Sequence, residues 1–198
     1  HVATHPRKEG ERPEFFTDKL DRESRRSAAP TILEALRTND AIFAELRAAS
    51  RRPDSRYPIA YDLDDPWGIL LRHLAPIKGA CLRLQLRACA ELAEGRNDAA
   101  FEDVKLILSL ADSLKGEPTL ISCLVRMACV QVAAQPVWEG LAQHAWSEAQ
   151  LQELQSRFQQ FDFVPDLKWS LAEERAAAIL TADLLAQSLL QLSVPDDQ

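Results

Sequence analysis

The chain has 198 residues, 46% of them hydrophobic, and a net charge of −7, which is enough for one sizeable core in a single domain. Ala, Leu, Glu, Gln and Arg abound while Val, Ile, Thr and Tyr are scarce, so a strand-built fold is excluded and an all-α domain of about six helices is expected. Residues 57–198 carry twenty Asp/Glu against eleven Lys/Arg, which excludes nucleic acid as the default partner, because phosphate binding needs a concentrated positive face.

Residues 1–29 are charged and nearly core-free, with only Phe15, Phe16 and Leu20 to bury. They read as an extended arm with at most one short helix, ordered by docking. Residues 30–198 form the single helical domain. Pro30 suits the first turn of a helix running to about Ser50, in which Ile32, Leu36, Phe43 and Leu46 recur at helical spacing. Asn39-Asp40 is a candidate interruption. Arg51–Pro66 reads as a loop rich in proline, aspartate and serine. Tyr57, Ile59 and Tyr61 would pin it to the core. Asp62, Asp64 and Asp65 lack the glycine turn and later glutamate of an EF-hand, so they imply no calcium site.

A helix is expected from Trp67 to Glu94, with Leu70, Leu74, Ile77, Cys81, Leu84, Ala88 and Leu92 on its buried face and Pro76 kinking it or marking its true start. Arg72, Arg83, Arg87 and Glu91 share a stripe. Arg83 and Arg87, one turn apart, are candidates for holding a carboxylate or phosphate; a solvated stripe is the simpler alternative. Gly95 should end this helix, and Asn97 or Asp98 should cap the next. That helix buries Ala100, Val104, Ile107, Leu108, Ala111 and Leu114 and leaves Glu102, Asp103, Lys105 and Asp112 outside. Gly116 and Pro118 close it.

Leu120–Ala142 is apolar almost all round and should be enclosed by other helices. Its lone charge, Arg126, must reach the rim or a carboxylate, and Pro136 should kink or split it. No run of about 18 uninterrupted apolar residues is present, so no membrane-spanning segment is expected. Ser147 and Gln150, with Trp146 facing Leu151, make a capping box and hydrophobic staple. Pro165 opens a last helix to about Leu192, whose inner face reads Leu167, Leu171, Ala178, Ala182, Leu185, Leu189 and Leu192. The alanines at 176–178 would admit a close neighbour. The four cysteines read chiefly as buried thiols.

Glu91–Leu114 resembles the tetratricopeptide helix–turn–helix, through Gly95 followed by Ala100 and then apolar Val104 and Ile107. That resemblance implies antiparallel hairpins stacked side by side. Arg52–Pro136 is also similar to a group of uncharacterised bacterial helical proteins. The shared features are Arg56-Tyr57-Pro58, His73-Leu74-Ala75-Pro76, Glu94-Gly95, Ala100 and Pro118-Thr119-Leu120-Ile121. It implies an N-terminal membrane anchor and an extracytoplasmic body; the residues alone leave the cytoplasm as the alternative. The chain opens at His1 and not at a methionine, which leaves room for a preceding leader or anchor.

Chemistry-bearing motifs are absent: no HExxH, GxSxG, phosphate-binding glycine loop or GxGxxG. No cofactor or metal is implied, and no catalytic set. Glu173-Glu174-Arg175 is the best carboxylate cluster, with a salt bridge to a core arginine such as Arg126 as its simpler reading. The tryptophans at 67, 138, 146 and 169 stand at expected helix ends as packing anchors. The functional expectation is a non-enzymatic module that binds another protein. The alternative is a bundle holding a small apolar or anionic ligand between helices, lined by Arg83, Arg87, Arg126 and Trp138.

Overall fold

A computed structural model describes residues 19–61, 65 and 67–193. The expected arm before residue 19 and the Asp62 and Asp64 positions lie outside the described residues. All regular structure among the described residues is helical.

Helix α1 spans Lys19–Leu36 and runs through Pro30 rather than starting at it. Proline deletes one intrahelical hydrogen bond, but Ala29 beside it is fully buried, and docking on the next long helix holds α1 together across the proline. The interruption at Asn39-Asp40 is real. A 3-10 turn over Arg37–Asn39 separates α1 from α2, Asp40–Ala49, and the Thr38 hydroxyl and Asn39 amide donate back to the carbonyls of Ala35 and Leu36. Side chains that bond backward in this way compete with the regular ladder.

The following loop is tied down around Ser113 and again at Trp67, whose indole N–H donates to the Thr181 hydroxyl at 2.8 Å. The Ser55 hydroxyl donates to the Ser113 carbonyl at 2.9 Å, Tyr57 and Ser113 share a hydroxyl bond of 2.8 Å, and the Tyr57 ring stacks on His73 at 4.3 Å. Tyr61 is half-exposed and does not act as a second pin.

Helix α3 is Leu74–Ala93, seven residues shorter at its start than the sequence implies. Pro76 therefore sits in its first turn, where a missing N–H costs nothing. The expected inner face is buried from Leu74 through Leu92, but Leu70 is exposed. Gly95 adopts φ +74°, and the N–H groups of Gly95 and Arg96 return to the carbonyls of Leu92 and Glu91. This Schellman closure turns the chain back into α4, Asn97–Asp112. Neither Asn97 nor Asp98 caps α4; Arg96 holds the cap position without a side-chain bond. The Asp98 carboxylate instead accepts from Gln150 at 2.9 Å.

Helix α5, Leu120–Ala142, is capped by Thr119, whose hydroxyl accepts from the Ser122 N–H, and it passes Pro136 unbroken. By length and composition alone α5 is long and apolar enough to cross a membrane. Here it packs against α3 and α4 as the third member of the core. Its end is closed by His144 at φ +52°, with the His144 and Ala145 N–H groups returning to Leu141 and Gly140, the glycine type of closure built on a histidine. The capping box then forms as expected: Ser147 accepts from the Gln150 N–H and the Gln150 side chain accepts from the Ser147 N–H, starting α6 over Glu148–Gln159. Trp146 is buried, donates to the Val137 carbonyl at 3.0 Å, and lies flat over Gly140, where any Cβ would collide with its indole.

Helix α7, Phe163–Ser193, packs along α5. Here the sequence reading is inverted. Leu167, Leu171, Leu185 and Leu189 are 37%, 52%, 61% and 67% exposed, and Ala178 and Ala182 are exposed too; the Leu192 side chain lies outside the described residues. The face turned to α5 carries the fully buried Ser170 and the half-buried Asp166, Ala177 and Thr181. That face also carries half-buried Leu180 and Leu184, and it brings Asp166 to the buried Arg126 of α5.

Candidate functional site

The six side chains singled out from the sequence do not converge. Arg87 is buried in α3 and forks onto Asp103 of α4, Nε to Oδ2 at 2.7 Å and Nη2 to Oδ1 at 2.6 Å. It also reaches Asp40 at 3.0 Å and lies 4.3 Å over the Phe43 ring. Arg47 adds a second cation on Asp103 at 2.5 Å. Asp103, expected outside, is thus 1% exposed. Burial pulls the Arg87 guanidinium down, but the hydrogen bond and charge of Asp103, with Asp40 and Glu91, outweigh it and hold the group above its ordinary value. This network binds α2, α3 and α4 to one another and gives each of the three Arg87 nitrogens a carboxylate partner within the fold.

Arg126 is 1% exposed and makes a second, separate network. It pairs with Asp166 of α7 and, at 3.5 Å, with Asp112 at the end of α4. Its guanidinium lies 5.0 Å from each of the Phe161 and Phe163 rings. The carboxylates are Asp166 and Asp112, not Glu173 or Glu174. Glu174 accepts from the Leu120 N–H at 3.3 Å, where a carboxylate meets the positive end of the α5 dipole. Glu173 is half-buried, and after burial and Glu117 its charge also adds to the raised value of Tyr61. Arg83 is exposed and lies back over Gly79. Trp138 is 56% exposed on the solvent side of α5. Of the other tryptophans only Trp146 is a buried anchor.

In the core itself, the buried thiols of Cys81 of α3 and Cys129 of α5 interact, which with burial pushes Cys81 far above its ordinary value and draws Cys129 down.

The feature with room for a partner is a groove of ≈ 950 Å³ between α1, α3 and α5. Its floor is Leu86, Ala90 and Ala93 of α3 with Ile32 of α1, and its rim includes Gln85, Gln135 and Glu139. None of the six sequence candidates lines it. The groove exists because α3 is apolar on more than its packed stripe. Leu86, 46% exposed, lines the groove, while Leu82, one turn earlier and equally exposed, does not. Leu74–Leu92 supplies the core stripe at three-and-four spacing, and Leu86, off that stripe, is the sequence signal for the second face.

No family model, curated protein or solved structure matches the chain.

Proposed function

We propose that this chain is a non-enzymatic helical module, its α3–α4 hairpin and α5 stacked in the tetratricopeptide-like manner, that takes an amphipathic helix of a partner protein into the groove between α1, α3 and α5. The observation that carries the reading is the groove itself: an apolar floor of leucine, isoleucine and alanine inside a rim of amides and single charges. Helix-in-groove recognition works this way, with apolar anchors entering the floor and the polar rim excluding water. Small residues at Ala90 and Ala93 let a partner backbone come close, and the glutamines offer donors and acceptors without a large desolvation cost.

The test is affinity purification from the native host with Leu86→Arg beside the unaltered chain. The module predicts a protein that co-purifies stoichiometrically and is lost with Leu86→Arg, while the circular dichroism and melting temperature of the variant stay unchanged because Leu86 is exposed. Native mass spectrometry showing a small molecule in the groove and no protein would replace this reading with the ligand-binding bundle.

A further inference from the structure

Two of the four cysteines meet across the core, and from that placement we infer that oxidation by a peroxide joins Cys81 of α3 to Cys129 of α5 in an intramolecular disulfide. Both side chains are fully buried in one apolar cluster, on two helices that pack directly on each other, and both are thiols in this structure. Their sulfurs lie in hydrogen-bond contact. No pair along one helix offers the same reach. Cys89 stands eight residues after Cys81 on α3, and Cys123 stands six before Cys129 on α5. Those steps are roughly 12 Å and roughly 9 Å along the axes, beyond the Cα separation that a disulfide tolerates.

The contact is polarised for this reaction. The Cys81 S–H donates to the Cys129 sulfur, which holds Cys129 below its ordinary value against the pull of burial, and the Lys78 ammonium adds to the effect. Cys129 is therefore the nucleophile and Cys81 the resolving thiol, because the thiolate is the form that reacts. The Cys129 thiolate attacks one oxygen of the peroxide and the O–O bond breaks. Sulfur is oxidised to the sulfenic acid, and the hydroxide released takes up the proton that Cys129 gave up. The Cys81 sulfur then attacks the Cys129 sulfur, the S–O bond breaks, and the hydroxyl leaves as water with the Cys81 proton. Two thiols and one hydrogen peroxide thus become one disulfide and two waters. Exposed Lys78 and half-buried Tyr57 lie in electrostatic range of these sulfurs, so an oxidant little larger than water has a short way to travel. Gln85 and Gln135, which line the groove, follow the two cysteines by four and six residues. The bridge therefore also fixes how far apart the α3 and α5 walls of the groove stand.

The bridge depends on the core and not on what occupies the groove, so either reading can fail alone. The test uses the full chain, reduced, freed of reductant and treated with hydrogen peroxide. A peptide map made without reduction should join the Cys81 peptide to the Cys129 peptide within a monomer. The bridge closes a long loop in the unfolded chain, so the melting temperature should rise by roughly 10 °C and fall back with dithiothreitol. In C89A/C123A both remaining thiols should disappear together, and this variant leaves the pair itself untouched. Cys81→Ala should stop at a sulfenic acid that dimedone traps at Cys129, while Cys129→Ala should leave Cys81 reduced. Survival of the Cys81 and Cys129 thiols in the unaltered chain would overturn the pair. So would a bridge through Cys89 or Cys123, a bridge between two chains, or a Cys129 that passes to sulfinic acid with Cys81 still a thiol.

Discussion

Asp103 decides how the charged part of the core is arranged. It is buried, accepts from both Arg87 and Arg47, and has no exposed carboxylate oxygen to lose. Asp103→Asn leaves two guanidinium groups facing a neutral amide, and breaking a buried pair from one side costs about 3–5 kcal/mol. Urea unfolding should show that loss, and a change below about 1 kcal/mol would contradict the role given to Asp103. Arg87 does not make the network pH-sensitive in the usual range. Its value is raised, so its own titration removes stability only in strong alkali. His144 makes the opposite kind of prediction. A residue other than glycine in the left-handed region costs about 1 kcal/mol. His144→Gly should therefore stabilise the chain by several tenths of a kcal/mol after the extra freedom of unfolded glycine is set against it. The two tyrosines are both raised, chiefly by burial, with Glu117 adding to each. Each contributes stability that is present below the ordinary phenol value and lost as pH rises through the folded one. Absorbance at 295 nm should therefore titrate later in the folded chain than in urea, and coincident curves would count against the packing of Tyr57.

At the scale of the element, the buried charge of α5 anchors the start of α7. Arg126 joins α5 to Asp166, and two phenylalanine rings cover the pair. Arg126→Met removes the charge but keeps much of the volume, so it leaves Asp166 unpaired beside an apolar neighbour. Hydrogen exchange should then speed up along α7 and leave α3 and α4 nearly unchanged; uniform acceleration would mean that Arg126 serves the whole core and not the α5–α7 seam. The capping box at Ser147 and Gln150, the turn at Gly95 and the extent of α5 were legible in the sequence because each depends on residues within a few positions. Long-range pairing was not. Asp103 looked solvated because a lone carboxylate on a helix usually is, and only the fold brings Arg87 and Arg47 to it. The stripe of α7 looked internal because apolar periodicity says which residues share a face and not what that face meets. Pro30 looked like a helix start because local preference cannot register docking on α3.

For the molecule as a whole, α3, α4 and α5 form the core, with α1 and α7 laid on α3 and α5. The groove lies where α1 leaves α3 and α5 uncovered, so no single segment of sequence contains it. Leu86, off the packed stripe of α3, is the sequence signal for it, and the amides of α5 give none. The most direct measurement is photo-cross-linking in cells from a benzoylphenylalanine placed at Gln135 on the groove rim, compared with one at the exposed Ile179 on α7. The groove reading predicts that Gln135 cross-links to one protein, at a segment with apolar residues every three or four positions, and that Leu86→Arg abolishes it. Cross-linking of Gln135 to no protein, or to the same mixture captured from Ile179, would contradict it.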